Sequence, residues 1–169
     1  LLESEPNQVV EEFILSGIDM SNIRCKEDSL SNTYIIKDKK LLEDLQYFDI
    51  AGHNALSKYV HKYFLFGNVE ERWAILQGLM DTDGTIDSRG HCSFTSISEQ
   101  LAKDVKFLVN SLGGVATITK GEAGYRDHEG NYIRCNDAYT VYIRIKHSER
   151  LFRLPYKKAR CTEYNGGIS

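Results

Sequence analysis

The sequence predicts an α+β protein with antiparallel sheets, made of about one and a half copies of a repeated module. Three observations predict it. Ser4-Glu5 and Ser98-Glu99 each open an amphipathic stretch, and Phe13, Ile14, Leu15 and Ile18 of the first fall at the same offsets as Phe107, Leu108, Val109 and Leu112 of the second. Strand-like segments follow each helix, and in Thr140-Val141-Tyr142-Ile143-Arg144-Ile145-Lys146 apolar and polar residues alternate with the period of a half-covered strand. Each copy then closes on a short apolar helix, with Leu42 and Leu45 in one and Leu151 and Leu154 in the other.

In chain order, the first copy has strands over Ile23 to Lys26 and Thr33 to Lys37, and residues 1–50 form the partial first module. A linker is expected over 51–67. The second module, 68–160, opens with a helix from Asn68 to about Asp81 and a strand pair interrupted at the turn signal Ser88-Arg89-Gly90. After the Ser98 helix come strands over Val115 to Lys120 and Tyr139 to Lys146, separated by a Gly-, Asp- and Asn-rich hairpin loop around Gly121 to Asn136. Residues 161–169 are a tail. Only three residues stand before Ser4, so the first module is expected to lack its opening helix and strand pair, about 30 residues on the spacing of the second copy.

Composition excludes several classes. No run reaches the roughly 18–20 apolar residues of a membrane helix, and no basic n-region or small-residue cleavage site marks a signal peptide. A soluble, cytoplasmic protein is expected. Cys25, Cys92, Cys135 and Cys161 are 67, 43 and 26 residues apart, without CxxC spacing, and are read as four reduced thiols. The five His are scattered with no base–nucleophile pairing, and no GxxxxGK[ST] or GxGxxG loop is present. The formal charge of −3 conceals a strong asymmetry. Between Thr140 and Arg160, seven basic residues face one acid, a balance of +6, so the remainder carries −9. Such a block is a candidate footprint for phosphate.

The chemistry sits at the end of the second module's first helix, Leu76-Gln77-Gly78-Leu79-Met80-Asp81-Thr82-Asp83-Gly84. Ala74 and Gly78 lie four apart on one face, with Thr82 continuing the line. A mid-helix Gly costs about 1 kcal/mol against Ala, and the expected compensation is close approach by another helix. Two carboxylates at a helix C-terminus oppose the macrodipole unless a cation neutralises them, which points to a metal site.

This string resembles the LAGLIDADG motif at Leu76, Gly78, Leu79, Asp81, Asp83 and Gly84. The Ser98-Glu99 helix ending in Ser111-Leu112-Gly113-Gly114 is similar to the same family, and Lys58-Tyr59-Val60-His61 looks like the Lys-x-Ile-Pro element of intein-encoded members, with His61 in place of Pro. Leu154-Pro155-Tyr156-Lys157-Lys158 resembles the close of such domains. The resemblance implies a site-specific homing endonuclease of the dodecapeptide type. Two αββαββα modules would pack by their motif helices in pseudo-twofold fashion, under saddle sheets over double-stranded DNA. Carried over residue by residue, Asp83 is the metal ligand for Mg²⁺ or Mn²⁺, and Lys58 and Lys158 are candidate active-site lysines, with Lys157 an alternative to Lys158. Asp81, with Ala74 and Gly78, belongs to the helix interface. The partner would be the missing first motif helix or a second chain.

The chemistry asks for these residue types on its own account. Phosphodiester hydrolysis needs an activated water and stabilisation of charge on the phosphate and the leaving oxygen, which Mg²⁺ on carboxylates supplies and a nearby Lys assists. On the sheets, Arg24, Lys26 and Lys37 of the first module and Tyr142, Arg144 and Lys146 of the second are candidate DNA contacts, as is Lys157, since basic side chains on a β-ribbon reach guanine edges or phosphates. The alternative is a cleavage-inactive DNA- or RNA-binding module of the same fold, of maturase or regulator type. Protein splicing would belong to a parent protein, since no catalytic start residue or closing His-Asn is found.

Overall fold

The computed structural model describes residues 11, 14–27, 32–122 and 124–161, in two compact units, Leu1–Ala51 and Gly52–Ser169. In the first, Asp19 Oδ1 accepts from Ser21 N at 2.8 Å and starts a 3₁₀ turn, Met20–Asn22. This leads into an antiparallel pair, β1 (Ile23–Glu27) and β2 (Asn32–Ile36), in the register Arg24↔Ile35 and Lys26↔Thr33. Helix α1 (Lys39–Tyr47) begins where the Asp38 carboxylate accepts from Leu41 N, which satisfies one of the donors a helix start leaves unpaired. The Ser4-Glu5 cap and Phe13 lie outside the described residues.

The second unit holds nearly all of the core. After the short helix α2 (Lys62–Leu65), helix α3 (Val69–Asp83) starts at a capping box: Asn68 Oδ1 accepts from Glu71 N, and Glu71 Oε2 from Asn68 N. Strands β3 (Gly84–Ile86) and β4 (Cys92–Ser96) follow, then helix α4 (Glu99–Ser111) and strand β5 (Val115–Gly121). The loop expected over 121–136 is itself structured: β6 (Gly124–Arg126) and β7 (Tyr132–Arg134) pair as a separate small hairpin. Three-residue strands among turn formers give too short an alternation to stand out in the sequence. Strand β8 (Ala138–Arg144) then enters the main sheet, whose order is β3-β4-β8-β5, antiparallel throughout.

Alternation decides the two faces. Cys92, Phe94, Ala116, Val141 and Ile143 point to one side and are buried against Leu101, Ala102, Val105, Leu108 and Val109 of α4 and Trp73, Leu76 and Met80 of α3. Val60 joins this core, with Phe64 and Leu65 packed against it, so part of the stretch read as a linker packs into the second unit. A terminal strap completes it. It comprises a 3₁₀ turn, Ser148–Leu151, and α5 (Pro155–Lys158), with Leu151, Phe152 and Leu154 buried. No helix among the described residues is long and apolar enough to cross a membrane.

Candidate nucleic-acid and metal site

Asp81 and Asp83, two residues apart at the end of α3, are treated differently by the structure. The Asp81 carboxylate turns inward and accepts from Arg153 N at 3.0 and 3.1 Å and from Leu154 N at 3.3 Å. Burial raises its pKa, against the lowering effect of those two N–H groups and of the Lys157 and Arg153 charges. Asp83 is exposed, and its carboxylate takes no hydrogen bond or ion pair from any described residue. Asp81 therefore ties the helix to the strap, whereas Asp83 is held by none of the described residues.

Gly84 turns the helix directly into β3, and its requirement is space. A Cβ there would stand 2.4 Å from Met80 O and 2.7 Å from Met80 Cα. Gly78 is the opposite case. Nothing lies within 4 Å of a Cβ built on it, and Ala74 and Thr82 on the same line are exposed, so the described residues do not provide the close helix contact expected of that face.

The lysines separate in the same way. Lys58 and Lys158 are exposed. The backbone around Lys58 is pinned from α4: Ser98 Oγ donates to Lys58 O at 2.6 Å, and the buried Asp104 accepts from Val60 N at 2.8 Å and from Gln100 Nε2 at 2.8 Å. The DNA-binding assignment of Lys157 needs correction. Its side chain is buried, and Nζ donates to Met80 O at 3.0 Å, Asp81 O at 2.7 Å and Gly84 O at 2.9 Å. An ammonium has three donors, and here all three are committed to the end of α3.

The open face of the main sheet carries the remaining candidates. Tyr142 and Arg144 of β8 are exposed, as is Lys146 beyond it. Around them the face is rich in hydroxyls, with Thr85 Oγ1 and Ser93 Oγ 2.9 Å apart, Thr95 Oγ1 and Thr140 Oγ1 3.2 Å apart, and Thr117 paired with Tyr142. These hydroxyls were not singled out from sequence, although the alternation Ala116-Thr117-Ile118-Thr119 carries the signal. In the first unit, Arg24, Lys26 and Lys37 are exposed, and the register puts Arg24 and Lys26 on one face with Ile35 and Thr33. Among the described residues no three His, Cys, Asp or Glu side chains cluster as a metal site.

The model of a LAGLIDADG-like domain matches residues 70–153, from the first turn of α3 into the strap. These residues are thus similar to a LAGLIDADG-like domain. The fold agrees: the homing endonuclease I-DmoI, in a study of its mesophilic variants, is 16% identical with a TM-score of 0.52, over 84% of this chain and 65% of that one. I-DmoI in complex with DNA and Ca gives 17% and 0.56, over 89% and 71%. In sequence, a replicative DNA helicase DnaB of Mycobacterium intracellulare is 39% identical over 57 residues, 34% of this chain. The chain thus spans a tenth of the helicase's length and about two thirds of the I-DmoI chains. The LAGLIDADG homing-endonuclease fold, mixed helix and antiparallel sheet, is the architecture of the molecule.

Proposed function

We propose that the chain is part of a site-specific homing endonuclease that hydrolyses double-stranded DNA with Mg²⁺ or Mn²⁺, Asp83 being its metal ligand. The observation that carries this reading is the contrast at the end of the LAGLIDADG-like helix: one carboxylate is consumed by backbone N–H groups and its neighbour is exposed, with no partner among the described residues. A carboxylate left this way repels phosphate unless a cation joins them. The donor suits Mg²⁺, which is commonly held by one or two carboxylates plus substrate oxygens and water. Solved complexes of I-DmoI hold DNA with Ca, Mg or Mn, which supports the same class of ion here. A divalent cation in that place would supply charge neutralisation at the phosphate and the leaving oxygen.

The protein's own part is positional. The open sheet face supplies hydroxyls, Tyr142, Arg144 and Lys146 for base edges and phosphates, while α3 brings Asp83 to the end of that sheet. Exposed Lys58 and Lys158 are the candidates for holding phosphate charge or a water. One Asp is half a site. The other half would come from a first motif helix or a second chain, packed on the Ala74–Gly78–Thr82 line. An intein origin fits the helicase likeness. A match to a tenth of a helicase, in a chain without a GxxxxGK[ST] loop, is what a domain carried within a helicase gene would give. Asp83→Asn in the full-length parent is expected to abolish cleavage of a long DNA site while leaving binding intact, read by gel assays of both. Undiminished cleavage by that variant overturns the assignment.

A further inference from the structure

The strap engages α3 at successive turns along one stripe. The Arg150 guanidinium stacks on Trp73 at 4.4 Å, Gln77 Nε2 donates to Arg150 O at 2.8 Å, and Asp81 accepts from Arg153 N and Leu154 N. Lys157 ends the series with its three bonds to Met80, Asp81 and Gly84 carbonyls. Those acceptors bracket Asp83 on both sides in sequence. The last carbonyls of a helix lack intrahelical partners, and a cation there complements the macrodipole that the two aspartates oppose. Burying an ammonium is costly unless every donor is matched, and this one is matched fully. From this geometry we infer that Lys157 is a positioning residue: it fixes the backbone on either side of Asp83 and so sets the direction in which that carboxylate meets a divalent cation. The inference rests on the metal-ligand reading of Asp83 given above, and departs from it in giving Lys157 no contact with DNA or phosphate.

Two measurements on the 169-residue chain test it, using Lys157→Met, which keeps the buried stem and loses the donors. Amide exchange at Gly84, whose N–H closes on Met80 O, should accelerate about tenfold, while Arg72 at the other end of α3 keeps its rate. Unchanged exchange at Gly84 overturns the clamp. The second measurement is the Mn²⁺ concentration that broadens the Asp83 and Gly84 amide signals. Loss of a nearby positive charge alone would lower that concentration, whereas loss of positioning raises it by about ten- to a hundredfold. A lower or unmoved midpoint overturns the positioning role, and a rise supports it. Lys103→Met removes the same charge from the exposed face of α4 and should move neither reading. Persistence of Mn²⁺ broadening at residue 83 in Asp83→Asn overturns the metal-ligand reading instead; the exchange result still decides the clamp.

Discussion

Side-chain environment, more than residue type, separates the functional candidates from one another. Asp81 and Asp83 share a motif, yet only the strap's N–H groups at residues 153 and 154 distinguish the structural carboxylate from the available one. The cysteines divide similarly. Burial and the neighbouring Cys161 thiol push Cys92 up to about 12, and burial raises Cys161, while Cys25 and Cys135 are exposed. The thiolate is the reactive form, so at pH 8 iodoacetamide should label Cys25 and Cys135 first and spare Cys92, as read by peptide mass spectrometry before and after unfolding. Equal rates for Cys92 and Cys135 would contradict the burial described. In the β3–β4 turn, the His91 backbone N–H and then its ring hold Asp87 down at about 2. A depressed carboxylate contributes stability that is present above its unfolded value, near 3.8, and is lost as pH falls through about 2. The Asp87 carboxyl carbon shift should titrate near 2. His91→Ala should move it only part of the way back, because the backbone donor, the larger cause, remains.

Among the elements, α3 holds two glycines with opposite expected behaviour. Gly84→Ala would press a methyl on the Met80 backbone and should destabilise the chain by about 1–3 kcal/mol in urea unfolding. Gly78→Ala meets nothing and should stabilise the isolated chain by up to about 1 kcal/mol through helix propensity, while weakening any association across that face. A destabilised Gly78→Ala would show that the face is already covered. Much of this architecture was legible in the sequence. The Ser98 cap and the alternation at Thr140–Lys146 are local signals, and the LAGLIDADG string placed Asp83 at the end of its helix. Lys157 was not legible. Seven basic residues in one segment look alike in a charge count, and only partners 73 to 77 positions away show that one of them is buried. The β6–β7 hairpin escaped notice because its pairing spans three residues on each side.

For the whole molecule, the unit that carries the core also carries the basic segment. Apart from Ile18, every buried apolar residue described lies in Gly52–Ser169, so that fragment alone should unfold cooperatively near the temperature of the full chain by circular dichroism. A fall of many degrees would mean that the first unit contributes to the core. The +6 segment in an otherwise acidic chain should give DNA binding that weakens steeply with salt, which a titration over ionic strength reads directly. The strand order β3-β4-β8-β5 also sets a timetable. Thr95 of β4 faces Thr140 of β8 across 45 positions of sequence. On a ribosome adding about 5–20 residues per second, β4 waits roughly 2–9 s for its second neighbour, and the strap comes later still. A nascent chain therefore carries its motif helix before the strap exists to hold its end, and a premature stop before residue 147 would leave Asp81 without its contacts to residues 153, 154 and 157.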